Sequence, residues 1–357
     1  MFLRKQKMDR RTKLIQKILK NNWRHPSRVL NAALSFLLPL GAKVWAGPVS
    51  VDIEPTIACN LSCVMCHRRE LAERRKSLTM DLITFKKIID QLPTVLKLNL
   101  QGMGEPTLAA DFFQMVRYAK SKEIAVTTVT NGNLLSAAKI QAAVASGLDR
   151  IYFSIDTQNS EQYRHYRPGG ELAIVKRNLE QLVKERNQQK SDLEIGIWML
   201  LFNDNTDQLI PMLEFAKRIG VDEVIVNTSV SDRGKENWKA TIAGMKAKNN
   251  EHVTEAIAQA KIEAKKLGVR LFFVSGVGSM KPTAGARCQW PWRALYVTTE
   301  GDVSPCCIVA DPQVANLGNM LSTKFKNIWQ GQAYQDLRQR TLRGNVPDYC
   351  KGCYRKG

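Results

Sequence analysis

The chain has 357 residues, and its 53 Lys and Arg residues exceed its 33 Asp and Glu residues, so the net charge is +20. The hydrophobic share of 44% and the charged share of 24% are ordinary globular values, which excludes a largely disordered or collagen-like chain. No run reaches the roughly 18 apolar residues that a membrane-spanning helix needs, so a polytopic membrane protein is also excluded.

The first part of the chain, residues 1–48, is predicted to be a basic amphipathic and apolar N-terminal arm. Residues 1–28 hold ten Lys or Arg residues and one acidic residue, a local charge of +9. Within this basic segment, apolar residues recur at helical spacing, namely Leu14, Ile15, Ile18 and Leu19. Residues 29–42, which follow it, carry no charge.

Two interpretations of this arm stay open. Residues 1–46 are suited to peripheral contact with an anionic membrane or with an acidic, apolar partner. Alternatively, the arm is solvated and its apolar half covers the catalytic domain. A signal peptide with Val44 and Ala46 at its cleavage site is disfavoured, because the basic region is far too long and export would expose the protein to an oxidising compartment.

From residue 49 onwards, short β-rich runs alternate with helical runs. The predicted strands are 49–54, 95–101, 124–130, 150–155, 193–201 and 223–227. The predicted helices between them are 81–91, 111–121, 136–145, 171–188 and 207–218. This alternation indicates an α/β fold for residues 49–228, a partial (βα)6 TIM-like barrel with a parallel sheet, whose active site lies at the C-terminal ends of the strands.

The rest of the chain is predicted to be a linker region followed by a small domain. Residues 229–287 contain a helical run ending at Leu267, a strand at 269–274, and a Gly- and Pro-rich linker marked by Gly276, Gly278, Pro282 and Gly285. Residues 288–357 contain a hairpin, helices around 324–343 and five cysteines. A domain this small has little hydrophobic core of its own, which favours a domain that is stabilised by bound metal.

Three cysteines stand directly after the first predicted strand, as Cys59, Cys63 and Cys66 in a C-x3-C-x2-C loop. Three thiolates can hold three irons of a 4Fe-4S cube and leave the fourth iron open for chemistry. Structural zinc needs four closed ligands and matches this triplet poorly. His67 adjoins Cys66 too closely to serve easily as a fourth ligand, and we interpret it as a polar neighbour of the cluster.

This cysteine loop resembles that of the radical SAM superfamily, and the resemblance covers roughly residues 50–228. It implies an open iron that binds the amino and carboxylate groups of S-adenosylmethionine (SAM). It further implies reductive cleavage of SAM to a 5′-deoxyadenosyl radical, which takes a hydrogen atom from the substrate. Many members have an aromatic residue just before the third cysteine, whereas this chain has Met65, an apolar side chain that can fill the same space.

The resemblance also extends to candidate SAM contacts. The second strand ends in Gln101-Gly-Met-Gly-Glu-Pro106, which looks like the family's Gly-Gly-Glu-Pro element. Glycines allow close backbone approach to a ligand, and the backbone around Met103 would accept the SAM ammonium group. Ser154 and Arg167 would hold the SAM carboxylate or ribose, since a guanidinium forms paired hydrogen bonds with a carboxylate. The cofactor-binding residues predicted on these grounds are Gly102, Met103, Gly104, Glu105, Ser154 and Arg167.

The C-terminal cysteines resemble a shortened SPASM or twitch extension, which carries an auxiliary 4Fe-4S cluster in many radical SAM enzymes. The ligands implied are Cys288, Cys306, Cys350 and Cys353. A fully ligated cluster is suited to electron transfer. Two alternatives stay open: Cys307 in place of Cys306, and zinc in place of iron, because thiolate spacing does not distinguish the two metals.

The predicted function is that of a radical SAM oxidoreductase or maturase with SAM and two 4Fe-4S clusters. The expected outcomes are dehydrogenation, peptide modification or epimerisation of a small-molecule, lipid-linked or peptide substrate. A reductant such as flavodoxin or ferredoxin is expected, in the cytoplasm or at the inner face of its membrane. The alternative is a basic, metal-stapled protein without catalysis, which would bind nucleic acid or serve as a membrane scaffold. Nucleic acid is disfavoured as a partner, because no recognition motif accompanies the basic residues.

Overall fold

The computed structural model of the chain describes residues 25–37, 40–229, 244–245, 251–274 and 288–354. The predicted amphipathic pattern from Leu14 to Leu19 and the linker residues from Gly276 to Gly285 lie outside the described residues. Within the described ranges, no helix is both long enough and apolar enough to span a membrane.

The architecture is built on a nine-stranded sheet with the order β7-β6-β5-β4-β3-β2-β1-β8-β9. All neighbouring strands are parallel except β8 and β9, which form an antiparallel hairpin. The strands are β1 (Ser50–Ile53), β2 (Lys97–Leu100), β3 (Ala125–Thr130), β4 (Arg150–Ser154), β5 (Glu194–Leu200), β6 (Glu223–Asn227), β7 (Arg270–Val274), β8 (Ala294–Val297) and β9 (Val303–Ser304).

Helices connect the strands and cover one face of the sheet. They are α1 (Pro26–Leu37), α2 (Arg68–Ala72), α3 (Leu82–Asp90), α4 (Phe112–Ser121), α5 (Ala137–Ala145), α6 (Ser160–Tyr166), α7 (Leu172–Gln188), α8 (Leu209–Ile219), α9 (Glu251–Leu267), α10 (Trp290–Arg293), α11 (Phe325–Trp329), α12 (Gln332–Leu342) and α13 (Asp348–Tyr354).

The hydrophobic core lies between the helices and the outer face of the sheet. In β4, for example, Ile151 and Phe153 belong to the main core cluster. Because side chains alternate across a strand, Tyr152 and Ser154 project from the opposite, inner face. The predicted α/β partial barrel is confirmed, and it is larger than six strands: β7 extends the sheet beyond β6, and β8 of the C-terminal region pairs with β1.

A buried arginine organises the C-terminal region. Arg338 is fully buried and donates to the carbonyl oxygens of Pro291 and Trp329, at 2.8 Å in both cases. Its guanidinium also lies over the rings of Trp329 and Tyr334, at 4.5 and 4.9 Å from the ring centres. Burial lowers the pKa of Arg338 to about 10. One side chain thus joins α10, α11 and α12 into a unit.

Candidate active site

The cysteine loop follows β1 and is held by the segment that ends α6. The amide of Ser62 donates to the carbonyl oxygen of Pro168 and the amide of Val64 donates to that of Tyr166, both at 3.0 Å. The ring of Tyr166 packs in a small apolar cluster that also includes Met65 and Phe202. Met65 therefore contributes apolar packing at the position where many radical SAM enzymes have an aromatic side chain.

Charged and polar groups face the three thiols of this loop. Burial raises the pKa of Cys63 to about 11, and the charges of Cys66, Asp156 and Cys59 add to this rise while the Arg167 cation opposes it. The Arg167 Nη1 atom lies 3.9 Å from Cys63 Sγ.

A similar contact exists at Cys59, where the side-chain amide of Asn131 donates to Sγ at 3.9 Å. Burial raises the pKa of the Cys59 thiol as well, and the Cys66 charge adds to that rise. All three thiols are half-buried and free of disulfide bonds.

These thiols fit an iron-sulfur cluster better than a single metal ion. Neighbouring thiolates raise one another's pKa values because their negative charges repel. Several adjacent thiols are therefore deprotonated together only when a cationic metal group binds them. A cube spreads its thiolates over separate corners, which three thiols can do, whereas structural zinc needs four ligands at one atom.

The turn after β2 packs directly on the end of β1. A Cβ atom added at Gly104 would lie 2.4 Å from the Thr56 carbonyl oxygen and 2.5 Å from that of Ala58. At Gly102 it would meet the side chain of Glu54 at 2.4 Å. These two positions therefore require glycine because the turn packs closely against the protein's own atoms at the start of the cysteine loop, and not because a ligand lies there.

Glu105 braces the strand ends with its side chain. It is 2% exposed, and its Oε1 atom accepts the Thr107 and Thr130 hydroxyl groups, both at 2.7 Å. Its Oε2 atom accepts the Asn131 amide at 2.7 Å. The side chain therefore joins the end of β2 to the end of β3, and the backbone of this turn is the part suited to meeting a ligand.

Arg167 is oriented by Asp156, which follows β4. The Arg167 Nε atom donates to Asp156 Oδ2 at 2.7 Å, and Asp156 is fully buried. The other carboxylate oxygen accepts the Leu200 amide at 2.9 Å. Ser154 is half-exposed on the inner face of the same strand.

Four C-terminal cysteines interact with one another. Burial raises the pKa of Cys306 to about 12, and Cys288 and Cys353 add to the rise. Burial likewise raises the pKa of Cys350, and the charges of Cys306, Cys288 and Cys353 raise it further. Residues from the start of α10, the loop after β9 and helix α13 thus converge into one group of thiols.

Cys307 faces a different environment. It shares a hydrogen bond with Asp52, the buried carboxyl group on the inner face of β1, and its charge acts on Tyr296 of β8. Cys306 is coupled to the other three C-terminal thiols, whereas Cys307 contacts the barrel interior. This difference favours Cys306 over Cys307 as a cluster ligand.

Sequence reasoning missed a buried network that links the two ends of the chain. The Arg75 Nη2 atom lies 3.6 Å from Glu54 Oε2 and donates to the Ala310 carbonyl oxygen at 3.0 Å. Its Nη1 atom lies 3.8 Å from Glu300 Oε2, and the Arg75 side chain is only 4% exposed. In the sequence, Arg75 lies in a run of charged residues from Glu73 to Lys76. Such a run is typical of a solvated surface segment, so it gave no indication that Arg75 is buried.

The chain matches two protein-family models. Residues 53–227 match the model of the radical SAM superfamily, and residues 288–354 match that of the SPASM iron-sulfur cluster-binding domain. The chain is a radical SAM enzyme with a C-terminal SPASM domain. Its cofactors are therefore SAM and 4Fe-4S clusters, and the non-catalytic alternative is rejected.

Individual relatives of this radical SAM enzyme include a maturase and a heme synthase. It is 29% identical over 318 residues to the mycofactocin maturase MftC of Mycolicibacterium smegmatis, covering 85% of this chain and 77% of the relative. It is 28% identical over 335 residues to an AdoMet-dependent heme synthase of Methanosarcina barkeri, covering 86% of this chain and 91% of the relative.

A solved structure has the same fold. The crystal structure of Streptococcus suis SuiB bound to the precursor peptide SuiA superposes with a TM-score of 0.65 at 16% identity, covering 82% of this chain and 66% of that one. At this identity the likeness concerns the fold alone.

Proposed function

We propose that this radical SAM enzyme modifies a peptide by hydrogen-atom abstraction. The similarity to a maturase supports a peptide substrate. The inner face of the sheet is also suited to a peptide, since half-exposed polar and aromatic side chains lie there, with Asn99 beside Thr127 and Trp198 beside Ser154.

In this proposal Cys59, Cys63 and Cys66 hold the cluster that binds SAM. When bound, the cluster would pass one electron from the reductant to SAM, and this chemistry would supply the 5′-deoxyadenosyl radical that removes a hydrogen atom from the substrate. The observation that carries the proposal is the approach of Arg167 to Cys63, with Nη1 at 3.9 Å from Sγ. A guanidinium beside the open side of the thiol loop is suited to orienting a carboxylate there.

The turn formed by Gly102, Met103 and Gly104 offers backbone carbonyl oxygens to the SAM ammonium group. The amides of Met103 and Glu105 already donate to Glu54 and to the Ala58 carbonyl oxygen, at 3.0 and 2.9 Å. These bonds fix the orientation of the peptide units in the turn. Ser154, half-exposed on the inner face of β4, is assigned to the ribose or carboxylate.

We assign the auxiliary cluster to the C-terminal thiols of Cys288, Cys306, Cys350 and Cys353, where it would supply an electron acceptor or donor. A flavodoxin or ferredoxin is the proposed reductant. Oxygen-sensitive clusters favour a reducing compartment, so we place the enzyme in the cytoplasm, with residues 1–46 in peripheral contact with a membrane.

The test of SAM cleavage is anaerobic. Reconstituted enzyme with dithionite and SAM should form 5′-deoxyadenosine, and Cys63→Ala should abolish it. Iron should amount to about eight atoms per chain and fall to about four in the Cys350→Ala/Cys353→Ala variant, given four irons per cluster. Cys307→Ala is the matched control and should keep the full iron content. Unchanged iron in the double variant contradicts the auxiliary-cluster assignment.

The substrate class needs a separate test. Short peptides encoded beside the gene, co-expressed with the enzyme, should gain a mass change such as the loss of two hydrogen atoms. Cys63→Ala should prevent that change. SAM cleavage without modification of any such peptide would favour the small-molecule or lipid-linked alternatives.

A further inference from the structure

Helix α1 contacts the rest of the protein through its polar side. The buried residues of this helix are Arg28, Asn31 and Ser35, each less than 9% exposed. Their spacing of three and four residues places them on one face of the helix. An amphipathic helix of a globular protein normally buries its apolar face, so α1 is inverted.

Specific hydrogen bonds hold this polar face against the domain. The Arg28 guanidinium donates to the carbonyl oxygens of Pro93 and Lys122, at 2.8 and 2.7 Å. The Asn31 side chain donates to the Gly47 carbonyl oxygen at 3.1 Å and accepts the Gly47 amide at 2.7 Å. The orientation of α1 is therefore fixed by paired polar groups.

The opposite face of α1 is apolar and points outwards. Leu30 is 58% exposed and Leu37 81%, and Trp45 in the following segment is 91% exposed. Phe36 is 60% exposed but flanks this face, with its ring centre 4.0 Å from the Arg293 guanidinium. Leu30 and Leu37 are seven residues apart and share one face. Helix α1 therefore does lie on the catalytic domain, as one interpretation of the arm expected, but it contacts the domain through its polar side.

The charge of the sequence that precedes α1 favours one kind of partner. Residues 1–24, which directly precede α1, contain nine Lys or Arg residues and one Asp, a net charge of +8. Exposed Lys43 adds a further cation next to Trp45. Apolar and aromatic side chains beside a polybasic segment are the combination that binds the surface of an anionic bilayer, where Trp prefers the interface.

We propose that the outward face of α1, together with Trp45, inserts into the surface of an anionic membrane, with residues 1–24 supplying electrostatic attraction. A second copy of the chain or a neutral apolar protein would not be attracted by this concentration of positive charge. The catalytic barrel is then tethered through the hydrogen-bonded side of the helix. This inference is independent of the substrate class.

The experiment uses the full-length holoenzyme and co-sedimentation with vesicles. Binding to phosphatidylcholine vesicles containing phosphatidylserine should exceed binding to pure phosphatidylcholine and weaken with added salt. The Leu30→Ser/Leu37→Ser variant should bind at least about tenfold more weakly, because each side chain would no longer leave water. Trp45→Ser should act in the same direction.

Two exposed isoleucines elsewhere provide matched controls. Ile83 is 66% exposed and Ile262 58%, and their replacement by Ser should leave vesicle binding unchanged. Thermal unfolding of every variant should match the parent enzyme, since all these side chains are exposed. Equal binding of the parent to both vesicle types would overturn the proposal. So would full binding by the Leu30→Ser/Leu37→Ser variant, or a dimer of the parent that this variant abolishes.

Discussion

The Met103 amide donates to Glu54 Oε1 at 3.0 Å, so the turn after β2 is tied to the carboxylate that follows β1. The same oxygen accepts the Tyr296 hydroxyl group of β8 at 3.0 Å. Arg75 approaches the other oxygen, which links this carboxylate to Glu300 and Ala310 of the SPASM domain. One fully buried side chain therefore connects the proposed SAM-binding turn to the C-terminal domain.

Arg75→Met should destabilise the protein strongly. It leaves the Glu54 carboxylate buried without its cation, and breaking a buried pair in this way costs about 3–5 kcal/mol of unfolding free energy. Glu54→Gln in the same background should recover part of the loss, because the amide oxygen still accepts the Met103 amide. Anaerobic guanidinium denaturation measures both effects.

An exposed arginine is the control for that experiment. Arg218 lies 3.7 Å from Glu180, and the two side chains are 66% and 45% exposed. Arg218→Met should therefore change the unfolding free energy by only about 0–1 kcal/mol. Strictly additive effects of Arg75→Met and Glu54→Gln would show that the two side chains are not coupled.

Gly104→Ala should weaken SAM binding about tenfold or more. The added methyl group would displace the turn, and the loss of one polar contact to SAM corresponds to about a tenfold change in affinity. The new Cβ would collide with backbone atoms of Thr56 and Ala58, which cannot rotate away. Gly244→Ala is a suitable control, because a Cβ there meets no atom of the described residues within 4 Å. Equilibrium dialysis with SAM gives the affinities, and equal values for the two variants would contradict the assigned role of the turn.

The elements and cysteine groups could be predicted from sequence because they depend on local patterns. The alternation of β-rich and helical runs placed strands such as Glu223–Asn227 at their observed bounds. Cysteine spacing likewise identified both sets of thiols, although the ligands themselves stay predictions. These signals are carried by residues close together in the chain.

Long-range contacts were not predictable in the same way. Arg75 and Ala310 are 235 residues apart, and nothing local distinguishes Arg75 from the exposed cations around it. The burial of Arg338 depends on α10, α11 and α12 meeting around it, which a single-sequence pattern does not report. The inverted orientation of α1 was hidden for a related reason, because its polar residues are buried only once Pro93, Lys122 and Gly47 are in place.

Asp156→Asn should disturb the orientation of Arg167 while leaving the Arg167 cation beside the thiol loop, although it removes the Asp156 charge. The Asp156 Oδ1 atom accepts the Leu200 amide, so an amide at this position keeps its oxygen there and turns its NH2 group towards Arg167 Nε, which is also a donor. We expect weaker SAM binding, comparable to that of Arg167→Lys, with unchanged iron content. The electron paramagnetic resonance spectrum of the reduced cluster should then respond less to added SAM. A response equal to that of the parent enzyme would mean that Asp156 does not position Arg167.

Asp52→Asn should stabilise the protein, and more so at high pH. Burial raises the pKa of Asp52 to about 6, despite the hydrogen bond from Asn99. A carboxyl group whose pKa is raised by folding contributes most stability below its unfolded pKa, and this contribution is lost as the pH rises through the folded value. As the pH rises from 5 to 8, the unfolding free energy of the parent enzyme should therefore fall by about 1.4 kcal/mol relative to that of Asp52→Asn. This is the amount expected for about one pH unit between pH 5 and the folded pKa. Anaerobic denaturation at both pH values measures the difference, and an advantage of the variant that shrinks as the pH rises would show that Asp52 is stabilised as a carboxylate.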